Sequence, residues 1–328
     1  MSDGPLGIDP YEHDGNRWGV SMAQSGELLL ALLDAASARS VLEVGAYAGD
    51  LTRLLVAWAD GAGASVAAID PAPQPALVAL AERHAALRLV RETSLDALPR
   101  EEADAVVLDG DHNWHTVFEE LRLLGERPRL PLTILHDCGW PHARRDDFFD
   151  VTQVPEDRRH PLVPEGEGIV PWDDGSVPGG LPYPRSAARA GGPRNGVRTA
   201  LEDWAATRDD VRIAVLPLFF GVGVAWPAGA PWADAVAAVV APFDRHPVLE
   251  RAEANRVHHL AREQQLQAEV WALQARVARQ EAVLRRLVDS SAFGVAERLS
   301  ALRVRAGIAA DAGAVSRDEL RRALDGAG

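Results

Sequence analysis

The chain has 328 residues, 47% of them hydrophobic and 25% charged, which is enough apolar material to bury a full core and excludes a wholly disordered protein. Its formal net charge of -14 argues against nucleic acid as a partner, because phosphate binding draws its affinity from clustered cations. Cys138 is the sole cysteine and lysine is absent, which excludes an internal disulfide, a cysteine-rich zinc site and any Schiff-base or P-loop lysine.

Residues 1–20 are rich in Gly, Asp and Pro and read as an N-terminal arm. They lack a basic start with an apolar run behind it, and no later run reaches the ~20 apolar residues of a membrane span, so a cytoplasmic protein is expected. Residues 21–245 read as one α/β domain. An apolar helix around Leu28 to Leu33 opens it, followed by strands at 40–45, 65–70, 87–91, 103–109 and 132–137, with amphipathic helices at 51–59, 75–84 and 117–124. That alternation predicts a parallel sheet with helices on both faces. Two further strands, 211–216 and 221–226, are joined by only Pro217 to Phe220, too short for a parallel crossover, so the last strand is expected to run antiparallel.

An insertion over 139–195, dense in Pro, Gly and Arg, is expected to act as a lid, because Trp140, Phe148, Phe149, Trp172 and Tyr183 are costly to leave in water. Residues 246–290 read as one long helix in which Val270, Leu273, Val277, Leu284 and Leu287 follow a 3-4 spacing broken at Gln280. Two readings stay open for it: a short coiled coil that makes a homo-oligomer, or a helix folded back on the domain before it. Residues 291–328 read as a helical tail.

The segment EVGAYAGD, Glu43 to Asp50, follows the first strand and opens a helix. Gly45 and Gly49 let the backbone turn sharply and let a ligand approach the peptide plane. The spacing is Gly-x-x-x-Gly rather than the G-x-G-x-x-G of a dinucleotide site, and Glu43 would repel a pyrophosphate but suit a cationic ligand. Asp70 ends the next strand about twenty residues on, where a carboxylate can accept hydrogen bonds from both hydroxyls of a ribose. With these residues, 20–230 resembles the class I S-adenosylmethionine-dependent methyltransferases. The resemblance implies a Rossmann-like, seven-stranded, mostly parallel sheet and S-adenosyl-L-methionine as cofactor. It also implies that Glu43, Gly45 and Gly49 line the methionine end with Asp109 nearby, that Asp70 holds the ribose, and that Thr93 or Ser94 lies near adenine.

The fourth strand ends in LDGDHNWHT, Leu108 to Thr116, and the fifth in LHDCGW, Leu135 to Trp140. Ends of parallel strands converge on one crevice, so Asp109, Asp111, His112, His136 and Asp137 are expected to be neighbours. Carboxylates gathered in this way repel one another unless a cation or protons compensate. The pattern is similar to the metal-dependent, macrocin-type O-methyltransferases of sugars and natural products. That likeness implies Mg²⁺ on Asp109 and Asp137, with Asp111 or His112 taking the proton of a hydroxyl on a small-molecule acceptor such as a sugar. His136 departs from the pattern, since an acid is expected there. Either another divalent metal uses His136 as a ligand, or His136 is the base, or no metal is bound. His142, Arg144 and Arg145 read either as substrate-binding groups or as solvated surface charges. An atypical, hydroxylase-like member of the same fold and a non-catalytic scaffold working through the C-terminal helix remain as alternatives.

Overall fold

The structure, a computed structural model, describes residues 21–308 and 316–325; the expected N-terminal arm lies outside them. The described residues fall into two compact units, divided after Arg262. Among the described residues no helix is long and apolar enough to cross a membrane.

The first unit opens with α1 (Gly26–Ala35) and continues through β1 (Ser40–Val44), α2 (Asp50–Ala62), β2 (Ser65–Ile69), α3 (Pro75–Arg83) and β3 (Leu87–Val90). Next come α4 (Ser94–Ala97), β4 (Ala105–Leu108), α5 (Trp114–Gly125) and β5 (Leu132–Leu135). A short hairpin, β6 (Glu167–Val170) and β7 (Asp173–Pro178), precedes α6 (Val197–Ala205), β8 (Val211–Leu216), β9 (Val222–Pro227) and α7 (Ala233–Val240).

Seven strands form one sheet in the order β3-β2-β1-β4-β5-β9-β8. The pairs from β3 to β5 are parallel, whereas β9 is antiparallel to both β5 and β8. The expected seven-stranded, mostly parallel sheet with an antiparallel last strand is therefore present. The last strand lies between β5 and β8, and β8 forms the edge.

The central strands are apolar on both sides because helices cover both sides. Along β4, Ala105 and Val107 join one core cluster and Val106 and Leu108 the other, the two-residue period of a strand. Leu29, Leu32 and Leu33 of α1, Leu51 and Leu55 of α2, and Val236 of α7 fill the first cluster. Val117, Leu121 and Leu124 of α5, with Leu201 and Trp204 of α6, fill the second.

The insertion includes the β6–β7 hairpin, which the residue pattern does not announce. The reason is local: Asp173, Asp174 and Gly175 give β7 no apolar alternation, and it is nowhere fully buried. Backbone pairing holds the hairpin, and Ile169 also exchanges hydrogen bonds with Leu181 beyond it at 3.0 and 2.9 Å, an approach so close that a Cβ on Gly168 would lie 2.2 Å from the Leu181 carbonyl oxygen.

The long helix α8 (Pro247–Asp289) begins inside the first unit. Val257 and Ala261 are buried, Glu253 accepts a hydrogen bond from the Phe220 amide at 2.7 Å, and Arg256 lies over the Phe219 and Phe220 rings. The compact unit thus extends past residue 245 to Arg262. The second unit holds the rest of α8 with α9 (Ser291–Arg305) and α10 (Arg317–Asp325).

Candidate active site at the strand ends

Parallel pairing brings the C-terminal ends of β1, β2, β4 and β5 to one edge of the sheet. Gly45 turns there with φ +85°, and a Cβ on it would lie 2.1 Å from the Asp109 carbonyl oxygen, so only glycine lets these two strand ends meet. Gly49, with φ +86°, starts α2. Asp70 sits at the mouth of the turn and accepts from the Tyr47 and Ala72 amides at 2.7 and 2.8 Å. Asp70 is buried, and each of its carboxylate oxygens has capacity for a further acceptor contact. Glu43 is buried, its Oε2 has no hydrogen-bond partner, and burial, reinforced by Asp109, Asp70 and Asp50, pushes its carboxyl up to about 8.

Thr93 and Ser94 lie after β3, where Thr93 caps α4 and donates to Asp96 at 2.7 Å. Ser94 is beside Glu120, whose buried carboxyl is pushed up to about 8 by desolvation. Neither contacts the acidic group between β4 and β5.

That group is a tight one. The His136 ring Nε2 lies 3.0 Å from the Phe219 carbonyl oxygen, which can only accept, so Nε2 carries a proton. The other nitrogen, Nδ1, faces Asp109 Oδ1 at 3.2 Å and Asp137 Oδ2 at 3.4 Å. His112 Nε2 approaches the same two atoms, at 3.4 and 3.0 Å. Ligand atoms of Asp109, His136 and Asp137 all lie within 4.8 Å of one another. Asp137 holds its place with a left-handed φ of 57°, a conformation that Asp tolerates better than most side chains.

Burial disfavours every charge in this group, yet opposite charges outweigh it. Desolvation alone would lower His136 and His112, but Asp109 and Asp137 hold both imidazoles well above their ordinary range. The same pairs, against burial, hold Asp137 well below the usual carboxylate range and Asp109 below it. Two carboxylates around an inward-facing imidazole nitrogen balance their charge with protons or with a divalent cation. The donor set, two carboxylate oxygens and one imidazole whose far nitrogen is tied to a carbonyl, fits such a cation.

Of the five residues expected to be neighbours, four meet here. Asp111 turns away: its oxygens accept from the Phe149 amide at 3.0 Å and the Thr116 hydroxyl at 3.1 Å, bracing the insertion. Trp114 packs into the core and donates to Asp203 at 2.8 Å. Arg144 keeps a side chain 41% exposed, as a surface charge does, whereas Arg145 departs from the surface reading. Arg144 pairs with Glu202, and Arg145 is buried, donating to the Ala187 and Asp174 carbonyls at 2.6 and 2.7 Å.

His142 is buried and stacks on His112 with ring centroids 5.0 Å apart; desolvation pushes it down to about 4. With His112 and Asp147 it forms a second group of ligand-capable atoms within 4.8 Å. No local pattern marks Asp147, because its closeness to His112 depends on an isolated bridge between the insertion and the β4 end. Tyr183 meets both His142 and Trp140 edge-on, which brings two of the five expected lid aromatics beside the cluster; Phe148 is buried, whereas Phe149 and Trp172 remain 55% and 46% exposed, against expectation.

No protein-family model matches the chain, and no curated protein matches it. Among solved structures, it is similar to the S-adenosylhomocysteine-bound methyltransferase PaMTH1 of Podospora anserina, with 14% identity, 66% of this chain and 83% of that one covered, and a TM-score of 0.41. A methyltransferase from Geobacter sulfurreducens gives 14% identity, 69% and 91% coverage, and 0.38. The O-methyltransferase NcsB1 from neocarzinostatin biosynthesis, solved with S-adenosylmethionine and 2-hydroxy-5-methyl naphthoic acid, gives 17% identity, 67% and 58% coverage, and 0.37.

Proposed function

We propose that the chain is an S-adenosyl-L-methionine-dependent O-methyltransferase that acts on a hydroxyl of a small molecule, a sugar or glycosylated natural product, with a divalent ion held by Asp109, His136 and Asp137. The observation that carries this reading is the inward-facing Nδ1 of His136, fixed by the Phe219 carbonyl between two carboxylates, on the strand edge that also bears the Gly45 turn. When bound, the cofactor supplies an electrophilic sulfonium methyl group, and the ion supplies Lewis acidity that favours loss of a hydroxyl proton.

The protein's own part is alignment and proton removal. Glu43 offers a buried oxygen without a partner beside the turn, and the cationic end of the cofactor would draw off the proton that burial keeps on its carboxyl. Asp70 offers its spare acceptor sites to a ribose. Gly45 and Gly49 give the room, and Thr93 or Ser94 borders the adenine end. His112 is the base: Asp111 is engaged with the insertion and His136 Nδ1 would face the ion, and a divalent ion on Asp109 and Asp137 would offset the charge that keeps His112 protonated, freeing its Nε2 to receive the proton. Trp140 and Tyr183 keep water from the reacting oxygen.

Asp109→Ala should lower turnover on hydroxylated acceptors by on the order of 10²-fold or more, with S-adenosylhomocysteine affinity by calorimetry kept near wild type. Unchanged turnover would remove the ion from the mechanism, and a wild-type protein that binds no S-adenosylhomocysteine would remove the cofactor.

A further inference from the structure

The part of α8 within the second unit carries an apolar stripe in water. Leu266, Val270, Leu273, Val277, Leu284 and Leu287 are each between 42% and 59% exposed, where helix interiors of a folded chain bury such side chains. Their positions, with Gln280, advance by alternating steps of four and three, the seam of a two-heptad-per-four-turn repeat. Val270, Val277 and Leu284 then stand at a positions, and Leu266, Leu273, Gln280 and Leu287 at d. α10 approaches this helix elsewhere: Arg285 donates to the Leu324 carbonyl at 2.9 Å and Asp289 pairs with Arg321 at 2.7 Å, both from positions outside the seam.

We infer that residues 266–287 form one strand of a parallel, in-register, two-stranded coiled coil with a second copy of this chain. Three features select that occupant. Branched Val at a with Leu at d favours two parallel strands. Flanking charges complement one another across such a pair, because a g position faces the e position five residues on in the partner, and these are Arg276 and Glu281. The polar Gln280 settles direction. In parallel register each Gln280 amide faces its symmetry mate and can bond to it, whereas an antiparallel overlap sets Gln280 against Val277 and Arg276 against Val283, leaving both unpaired. The inference is independent of the enzymatic reading, since the stripe belongs to the second unit.

Sedimentation of the full chain over a wide concentration range should show a monomer–dimer equilibrium. Arg276→Glu alone should weaken the dimer about tenfold by replacing two attractive pairs with two repulsive ones, and Arg276→Glu with Glu281→Arg should restore it. Gln280→Cys should form an interchain disulfide under mild oxidation, with the buried Cys138 of the wild type as a silent control. A chain that stays monomeric throughout, or that assembles as a trimer, overturns the inference. So does a dimer in which Gln280→Cys gives no crosslink and the double charge reversal no rescue. The variants sit on an exposed helix face, so circular dichroism should confirm unchanged folding.

Discussion

Asp146 joins two helix starts through a single oxygen. Its Oδ1 accepts from the Trp114 amide at the head of α5 and from the Gly196 amide before α6, both at 2.7 Å, satisfying one otherwise unpaired donor at each. The helix dipoles there favour an anion, yet burial wins and pushes the carboxyl up to about 6. Its folded value lies above the ordinary 3.8, so the stability it contributes is full below that value and is lost as pH rises through about 6. Asp146→Asn keeps the accepting oxygen without the charge, whereas Asp146→Ala strands both amides and should cost about 2–4 kcal/mol. In denaturant titrations, wild type should lose stability relative to Asp146→Asn between about pH 4 and pH 6 and run level with it above that range. Parallel profiles from pH 4 to 8 would show that burial does not control this carboxyl. The sequence gives no hint of the role, because the partners are 32 and 50 residues away and belong to different elements.

Elements differ in how far their own residues announce them. The strand runs ending at Val44, Ile69 and Leu108 are apolar on both faces and bounded by turn residues, so both their identity and their common edge follow from pattern and from parallel topology. The clustering of Asp109, His112, His136 and Asp137 follows in turn, since each lies within a few residues of such an end. The insertion is opaque by comparison. One of its ties is Arg145, which donates from a buried position to three insertion carbonyls, those of Ala187, Asp174 and Gly175. Arg145→Met would fill much of the space and remove the donors. It should leave the main unfolding transition nearly unchanged while making the segment from 150 to 190 on the order of tenfold or more quicker to be cut in limited proteolysis. Wild-type cleavage kinetics in that variant would mean that the hairpin and its neighbouring bridges hold the insertion without the guanidinium.

For the molecule as a whole, the informative boundary falls inside a helix. Composition changes near residue 246, where apolar strands give way to a charged, Ala-rich helix, and that change marks where the helix starts rather than where the compact unit stops. Four turns of α8 complete the first unit: Glu253 satisfies the Phe220 amide next to the carbonyl that orients His136, and Arg256 covers both phenylalanine rings. Val257 and Ala261 are buried there as fully as core positions. Shortening the chain to end at 262 should therefore keep a cooperative thermal transition within a few degrees of the full protein, since no buried group of the first unit is removed. Ending it at 246 should do much more, because losing two buried side chains and an amide partner costs about 3–6 kcal/mol. The damage should be concentrated on the turn from Phe219 to Gly221, so binding of a divalent ion probe such as Mn²⁺, read by electron paramagnetic resonance, should weaken together with the transition temperature. Equal melting of the two shortened chains would place the end of the unit before the helix, and would leave His136 held by the sheet alone.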